Sequence, residues 1–273
     1  MQNKIFLDNY IKINDYVELY IPTVREVYKN EDDYYLLSYH LTAMPFTRRA
    51  ELWLNKIDYI TLNFYDLFTY ALYEMKVLAS NDTQMITKMF GVHKKSNPNI
   101  GNLFFRGFDI KNIEIRYTED KHFLVADSTN QHILFDEADI DKTAEVLRKI
   151  IGEKKDNRKE DTKGASGRYV LERAVKVLKR RLKKEAECPR QYSIIESYIV
   201  TLVNNKDFKY NFGTVMDMSY VEFILSVKQI LQNIHVANID LGVYTGNILA
   251  DKLTDKDRSY FALEVIKLSL IHI

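Results

Sequence analysis

The side chains most able to do chemistry in this chain crowd into one segment. Arg173, Lys176, Lys179, Arg180, Arg181, Lys183 and Lys184 fall within residues 168–187, and Leu171, Val175, Leu178 and Leu182 recur among them at 4-3-4 spacing. Ammonium and guanidinium groups at this density offer contacts to phosphates, each neutralised phosphate adding salt-dependent affinity. The apolar spacing describes one narrow stripe along a helix, suited to packing on a neighbouring domain or a partner helix. The basic residues would then form its solvated face. A nucleic-acid module usually adds aromatics or a recognisable base-reading fold, and Tyr169 is the one aromatic inside this stretch. The stripe is the favoured reading: Leu171, Val175, Leu178 and Leu182 as partner-binding residues, with nucleic-acid binding through the basic patch as the alternative.

No other cluster competes with it. The six histidines, at 40, 93, 122, 132, 235 and 272, include no pair three or four residues apart, so no helix would present two imidazoles to a metal. Asp136, Glu137, Asp139 and Asp141 lack the central Gly and terminal Glu of a calcium loop. Helix capping accounts for them without a metal. The run Gly164-Ala165-Ser166-Gly167 has neither the following Lys–Ser/Thr nor the preceding strand of a phosphate loop. No Gly-x-Ser-x-Gly elbow occurs, and Cys188, the single cysteine, precedes Pro189 with no organised partner. The expectation is a protein with no catalytic, cofactor-binding or metal-ligating set, hence not an enzyme.

The elements that must position the basic segment follow from hydropathy and turn residues. Residues 148–187 hold 15 Lys/Arg against 7 Asp/Glu, while the 273-residue chain carries a formal net charge of only +1. The segment is thus a basic hinge between mildly acidic parts rich in Tyr and Phe. Strands are expected at 4–7 and 17–21 around a turn at 8–15. Thr23, with Glu26 three residues on, caps a helix from Val24. Helices at 31–41, 47–57 and 59–78 follow, the last with Leu62, Tyr65, Phe68 and Leu72 on one face. The period then shortens: strands are expected at 103–105, 113–117, 123–126 and 133–135, with a hairpin turn at 127–130. Asp139 or Asp141 would cap a helix that runs through Ile151 to a Gly152 stop. Residues 153–167 are almost wholly polar and form a linker unable to offset the cost of ordering. Helices at 193–203 and 220–234, the latter capped by Ser219 with Glu222, precede a glycine-containing loop at 240–247 and a last helix from about 255. The fold class is α+β: an N-terminal mixed domain of short antiparallel strands and helices (1–152), a charged linker and basic amphipathic helix (153–188), and an all-α C-terminal domain (189–273). No apolar run approaches the roughly 18 residues of a membrane span and no apolar leader follows Met1. With one cysteine, the expected setting is a reducing cytoplasm.

Taken in order, several segments resemble a family of uncharacterised proteins of tailed bacteriophages that infect Gram-positive bacteria. They are "IKINDYVELYIPTVREV", "YYLLSYHLTAMP", "KIDYITLNFYDLFTYAL", "FDIKNIEI", "AEVLRKIIG", "YVLERAVKVLKRRLKK", "SIIESYIVTLVNNKDFKYNF", "YVEFILSVKQI" and "LGVYTGNI". The family is often labelled tail assembly chaperone. The resemblance implies a non-enzymatic protein that keeps the tape-measure or tail-tube protein soluble in the host cytoplasm during assembly, or else a minor structural component of the virion. It carries no catalytic residues to transfer. The closing "LEVIKLSLIHI" departs from the pattern, and residues 267–273 resemble translated adapter sequence and are expected not to be native.

Overall fold

The computed structural model describes residues 9–91, 94–117, 123–156, 165–188, 193–206 and 208–246. The fold is α+β, with two small antiparallel sheets set among helices. The first sheet pairs β1 (Tyr10–Lys12) with β2 (Glu18–Tyr20) and β2 with β3 (Phe105–Arg106). The second pairs β4 (Ile113–Tyr117), β5 (Phe123–Asp127) and β6 (Ile133–Phe135) in order. Residues 4–7 lie outside the described residues, and β1 occupies the expected turn instead. The turn itself is shorter. Asn14 Oδ1 accepts from the backbone N–H of Tyr16 and of Val17, both at 2.9 Å, and closes the chain over 13–17. An Asx turn of this kind satisfies orphan donors locally.

Caps decide where the helices begin. Thr23 and Glu26 form the expected reciprocal box at α1 (Val24–Lys29), which leads directly into α2 (Glu31–Thr42). After Pro45 comes the short α3 (Arg49–Leu54), only the centre of the helix expected at 47–57. Then α4 (Phe64–Ala79) starts five residues later than expected, because Asn63 and Asp66 cap each other's backbone N–H. The small α5 (Thr83–Phe90) follows. At α6 (Glu137–Ile151) the cap is Asp136, with Asp139 as its reciprocal third residue, so neither Asp139 nor Asp141 is the N-cap. Gly152 ends that helix at φ 70, the left-handed position that glycine adopts freely. Replacing Asp136 by Ala is expected to remove about 1 kcal/mol of stability, seen as a lower urea midpoint at unchanged slope.

Residues 157–164 of the expected linker lie outside the described residues, and Ala165 already opens α7 (Ala165–Glu187). The regular elements of the remaining described chain are helical: α8 (Ile194–Val203), a 3-10 turn at Val215–Asp217, and α9 (Tyr220–Tyr244). The loop expected at 240–247 is mostly helix, since one interior glycine, Gly242, costs only about 1 kcal/mol and Val236 and Ile239 continue the buried face. At its start, Ser219 accepts from the Glu222 N–H, while its hydroxyl donates to Glu222 Oε2. The helix expected from 255 lies outside the described residues.

One large apolar core takes side chains from Ile11 to Ile230, including Phe68, Phe104, Phe135, Leu147, Ile195, Leu202 and Phe223. It therefore continues across residue 152, and the C-terminal helices share it with the N-terminal elements. The join is also polar: the Val24 N–H donates to Met218 O at 3.0 Å and the Tyr220 N–H to Pro22 O at 2.8 Å. Arg148, counted above with the basic segment, is buried in this core. Its Nε and Nη2 both donate to Thr42 O, at the C-terminus of α2, and desolvation pulls its pKa below the usual arginine range.

Candidate functional site

The basic helix α7 packs on α3, and the contact divides the apolar stripe. Leu171 is buried with Leu52, Tyr59 and Leu67, in a small cluster separate from the main core, and Val175 packs on its edge. Leu178 is half-buried, and Leu182 is 48% exposed. The first half of the stripe is thus occupied by the protein's own core, which leaves Leu182 as its most accessible member. Spacing alone identified this apolar face but not the surface it covers.

The basic residues separate by helical phase. Lys176, Lys179, Arg180 and Lys183, with Glu172 and Val175, line an open groove of about 420 Å³ whose other lining residue is Trp53 of α3. Arg173 and Lys184 are exposed outside the groove lining. Arg181 falls on the opposite flank, near enough for its charge to act on the Tyr39 hydroxyl. Lys183 also pairs with Glu187 at 3.6 Å, an i,i+4 pair exposed on both sides. Such a pair yields readily to a partner, because exposed pairs of this type contribute only a few tenths of a kcal/mol.

Trp53 is the site residue that the sequence reading missed. It is 53% exposed although it is the single tryptophan of the chain. A local signal existed: Leu52 is buried, and the 100° step between successive helical residues carries Trp53 off that face. Nothing local brings it to α7. Apolar exposure continues beyond it at Ile57 and Ile60, in the turn after α3.

Beneath α3 lies a buried polar network. His40 Nδ1 is 2.5 Å from Glu74 Oε2, and Nε2 is 3.8 Å from Glu51 Oε1. Glu51 in turn accepts from Arg48 Nη2 at 2.5 Å and Nε at 3.2 Å. His40, Glu74 and Arg48 are all enclosed. Two tyrosines beside the network are held above the ordinary phenol range, Tyr39 by burial and then Glu51, Tyr70 by burial and then Glu74. Its members join α2, α4 and α3 and so fix the helix that carries Trp53.

A second depression, of about 490 Å³, lies between the 98–102 and 107–111 loops. Its glycine at 107 answers to the fold: φ is 97 and an added Cβ would stand 2.2 Å from Tyr16 O. Among the described residues no group of three or more His, Cys, Asp or Glu is placed to hold a metal ion. No helix among them is long and apolar enough to cross a membrane. In comparisons with known proteins, the chain matches no family model, no curated protein and no solved structure.

Proposed function

We propose that this is a non-enzymatic binding protein of bacteriophage tail morphogenesis, an assembly chaperone that engages a tape-measure or tail-tube protein in the host cytoplasm through the α3–α7 surface. The observation that carries this reading is the exposed Trp53 beside a row of cations. An accessible tryptophan with aliphatic neighbours and a charged rim has the anatomy of a protein-binding hot spot. Ile57 and Ile60, in the turn that follows α3, and Leu182 of α7 are exposed as well. Long helices of a tape measure would expose apolar stripes before assembly, and a groove of this kind can cover one. The phage assignment itself rests on the resemblance in the quoted segments.

Co-expression with the tape-measure protein, followed by pull-down at low and high salt, tests it. Retention that survives high salt and raises the soluble yield of the tape measure is the expected result. No retention at either salt would overturn it. Trp53→Ala is expected to weaken that binding by roughly thirtyfold, the equivalent of about 2 kcal/mol. The urea midpoint should fall far less than for an enclosed aromatic, since the indole is half exposed.

The groove also favours a second reading. It sets Trp53 beside the basic row, where the sequence of the helix offers only Tyr169, and base stacking on an aromatic beside a cationic row is how single-stranded nucleic acid is held without sequence preference. Binding of that kind weakens steeply with ionic strength.

A further inference from the structure

We propose that the occupant of the α3–α7 groove is an acidic amphipathic helix of the partner, with carboxylates at i, i+3 and i+7 beside an apolar residue that rests on Trp53. This rests on the protein-binding reading above and names the chemistry of the segment bound. Lys176, Lys179 and Lys183 stand at the same i, i+3, i+7 spacing along the groove, with Arg180 at its outer edge. The row rises about 10.5 Å, two helical turns, so a second helix laid alongside can oppose all three ammonium groups with carboxylates of matching pitch. Trp53 and Val175 give the same groove an apolar lining, on which a Leu or Met side chain packs. Glu172, one turn before Lys176, gives the site a direction. A carboxylate opposite Glu172 is repelled, so the acidic residues of the partner must lie toward the Lys183 end, with a neutral or basic residue at the other. Such a charge sequence selects partner and register more than it adds raw affinity. A nucleic-acid strand has phosphates throughout and would place one against Glu172.

Trp53 is the only tryptophan, so its emission reports occupancy of the groove directly in the full chain. The probe is a synthetic helical peptide with Glu at i, i+3 and i+7, Leu on the adjacent face and Lys one turn before the first Glu. Titration is expected to blue-shift the emission and saturate. The same composition with the glutamates moved to the opposite face should bind at least about tenfold more weakly, as should the designed peptide to Lys179→Glu/Lys183→Glu. A peptide that keeps Glu at i, opposite the unchanged Lys176, and carries Lys at i+3 and i+7 should restore binding to that double variant, which excludes misfolding as the cause. An equal response to the rearranged peptide, or a stronger one to a single-stranded oligothymidylate, would overturn the proposal. Pull-down separates it from the broader reading. Tape-measure protein retained equally by wild type and by Lys179→Glu/Lys183→Glu would overturn the groove assignment and leave partner binding intact. Tape measure retained by neither, with the acidic peptide still bound by wild type, would support the groove and remove the phage partner.

Discussion

His40→Leu is expected to lower the unfolding free energy by roughly 1–3 kcal/mol, the cost of leaving a buried hydrogen-bonding group without its partner. Leucine fills much the same volume, so packing changes little and the cost is electrostatic. Glu74 is enclosed, and among the described residues His40 is its hydrogen-bonding partner, at 2.5 Å. Without the imidazole, the Glu74 carboxyl group stays enclosed between α2 and α4 with that hydrogen bond unmade, and a buried polar group without a partner is costly. Glu51 also loses the ring nitrogen 3.8 Å away but keeps Arg48. The second half of the test is His40→Leu with Glu74→Leu. Replacing both members of a buried pair by apolar residues is often neutral or better, so the double variant should recover most of what the single one loses. Urea unfolding of the four members of this cycle measures the coupling. A single-variant loss below about 1 kcal/mol, within the range of exposed pairs, would show that water reaches the site. Because Glu51 and Trp53 share α3, the single variant should also broaden the Trp53 emission, whereas the double variant restores it.

The features that sequence made legible are those in which cause and effect lie within a turn or two. Thr23 with Glu26, Gly152 at φ 70, and Ser219 before α9 are each set by two or three neighbouring residues, and each sits where local chemistry puts it. The strands at 113–117 and 133–135 follow from short β-branched and aromatic runs between polar breaks. Where several local choices were equivalent, tertiary structure chose among them. Asp136, Asp139 and Asp141 are all competent caps, and Asp139 is taken up as the third residue of the box, where its Oδ2 also accepts from Asn14 Nδ2 at 2.8 Å. That bond crosses from the first hairpin and leaves no trace in the local pattern. The basic segment shows the same limit. Its charge count includes Arg148, buried against Thr42 O, together with lysines that line an open groove. Composition cannot separate the two. The 4-3-4 stripe indicated which face of α7 is apolar, but Leu52 decides that Leu171 turns inward. Trp53 enters the site only because α3 packs on α7, a long-range contact.

Phe135→Ala is expected to cost roughly 3–5 kcal/mol, as for other buried phenylalanines cut to a methyl group. The reason lies in what the ring joins. Phe135 ends β6 in the second sheet, and its ring meets Phe105 of the first sheet at 5.5 Å, Phe68 of α4 at 5.8 Å and Phe108 at 5.8 Å, all edge-to-face. Edge-to-face pairs of this kind add about 0.5–1.5 kcal/mol each beyond the area they bury. Two three-stranded sheets of such short strands would be marginal alone, and the phenylalanine cluster is where they become one body with α4. Phe108→Ala is the control, since that ring is only half-buried and should cost distinctly less. Both variants should unfold in a single transition, because the core that Phe135 belongs to also holds Phe223 of α9 and Ile195 of α8. A separate early transition in Phe135→Ala, or a loss no larger than that of Phe108→Ala, would show that the sheets are held together elsewhere. Binding to the α3–α7 groove offers a further separation. Leu171 and Leu52 form a cluster distinct from the one around Phe135, so the folded fraction of Phe135→Ala should bind the acidic peptide with wild-type affinity. Trp53→Ala should do the reverse, weakening partner binding with a far smaller loss of stability.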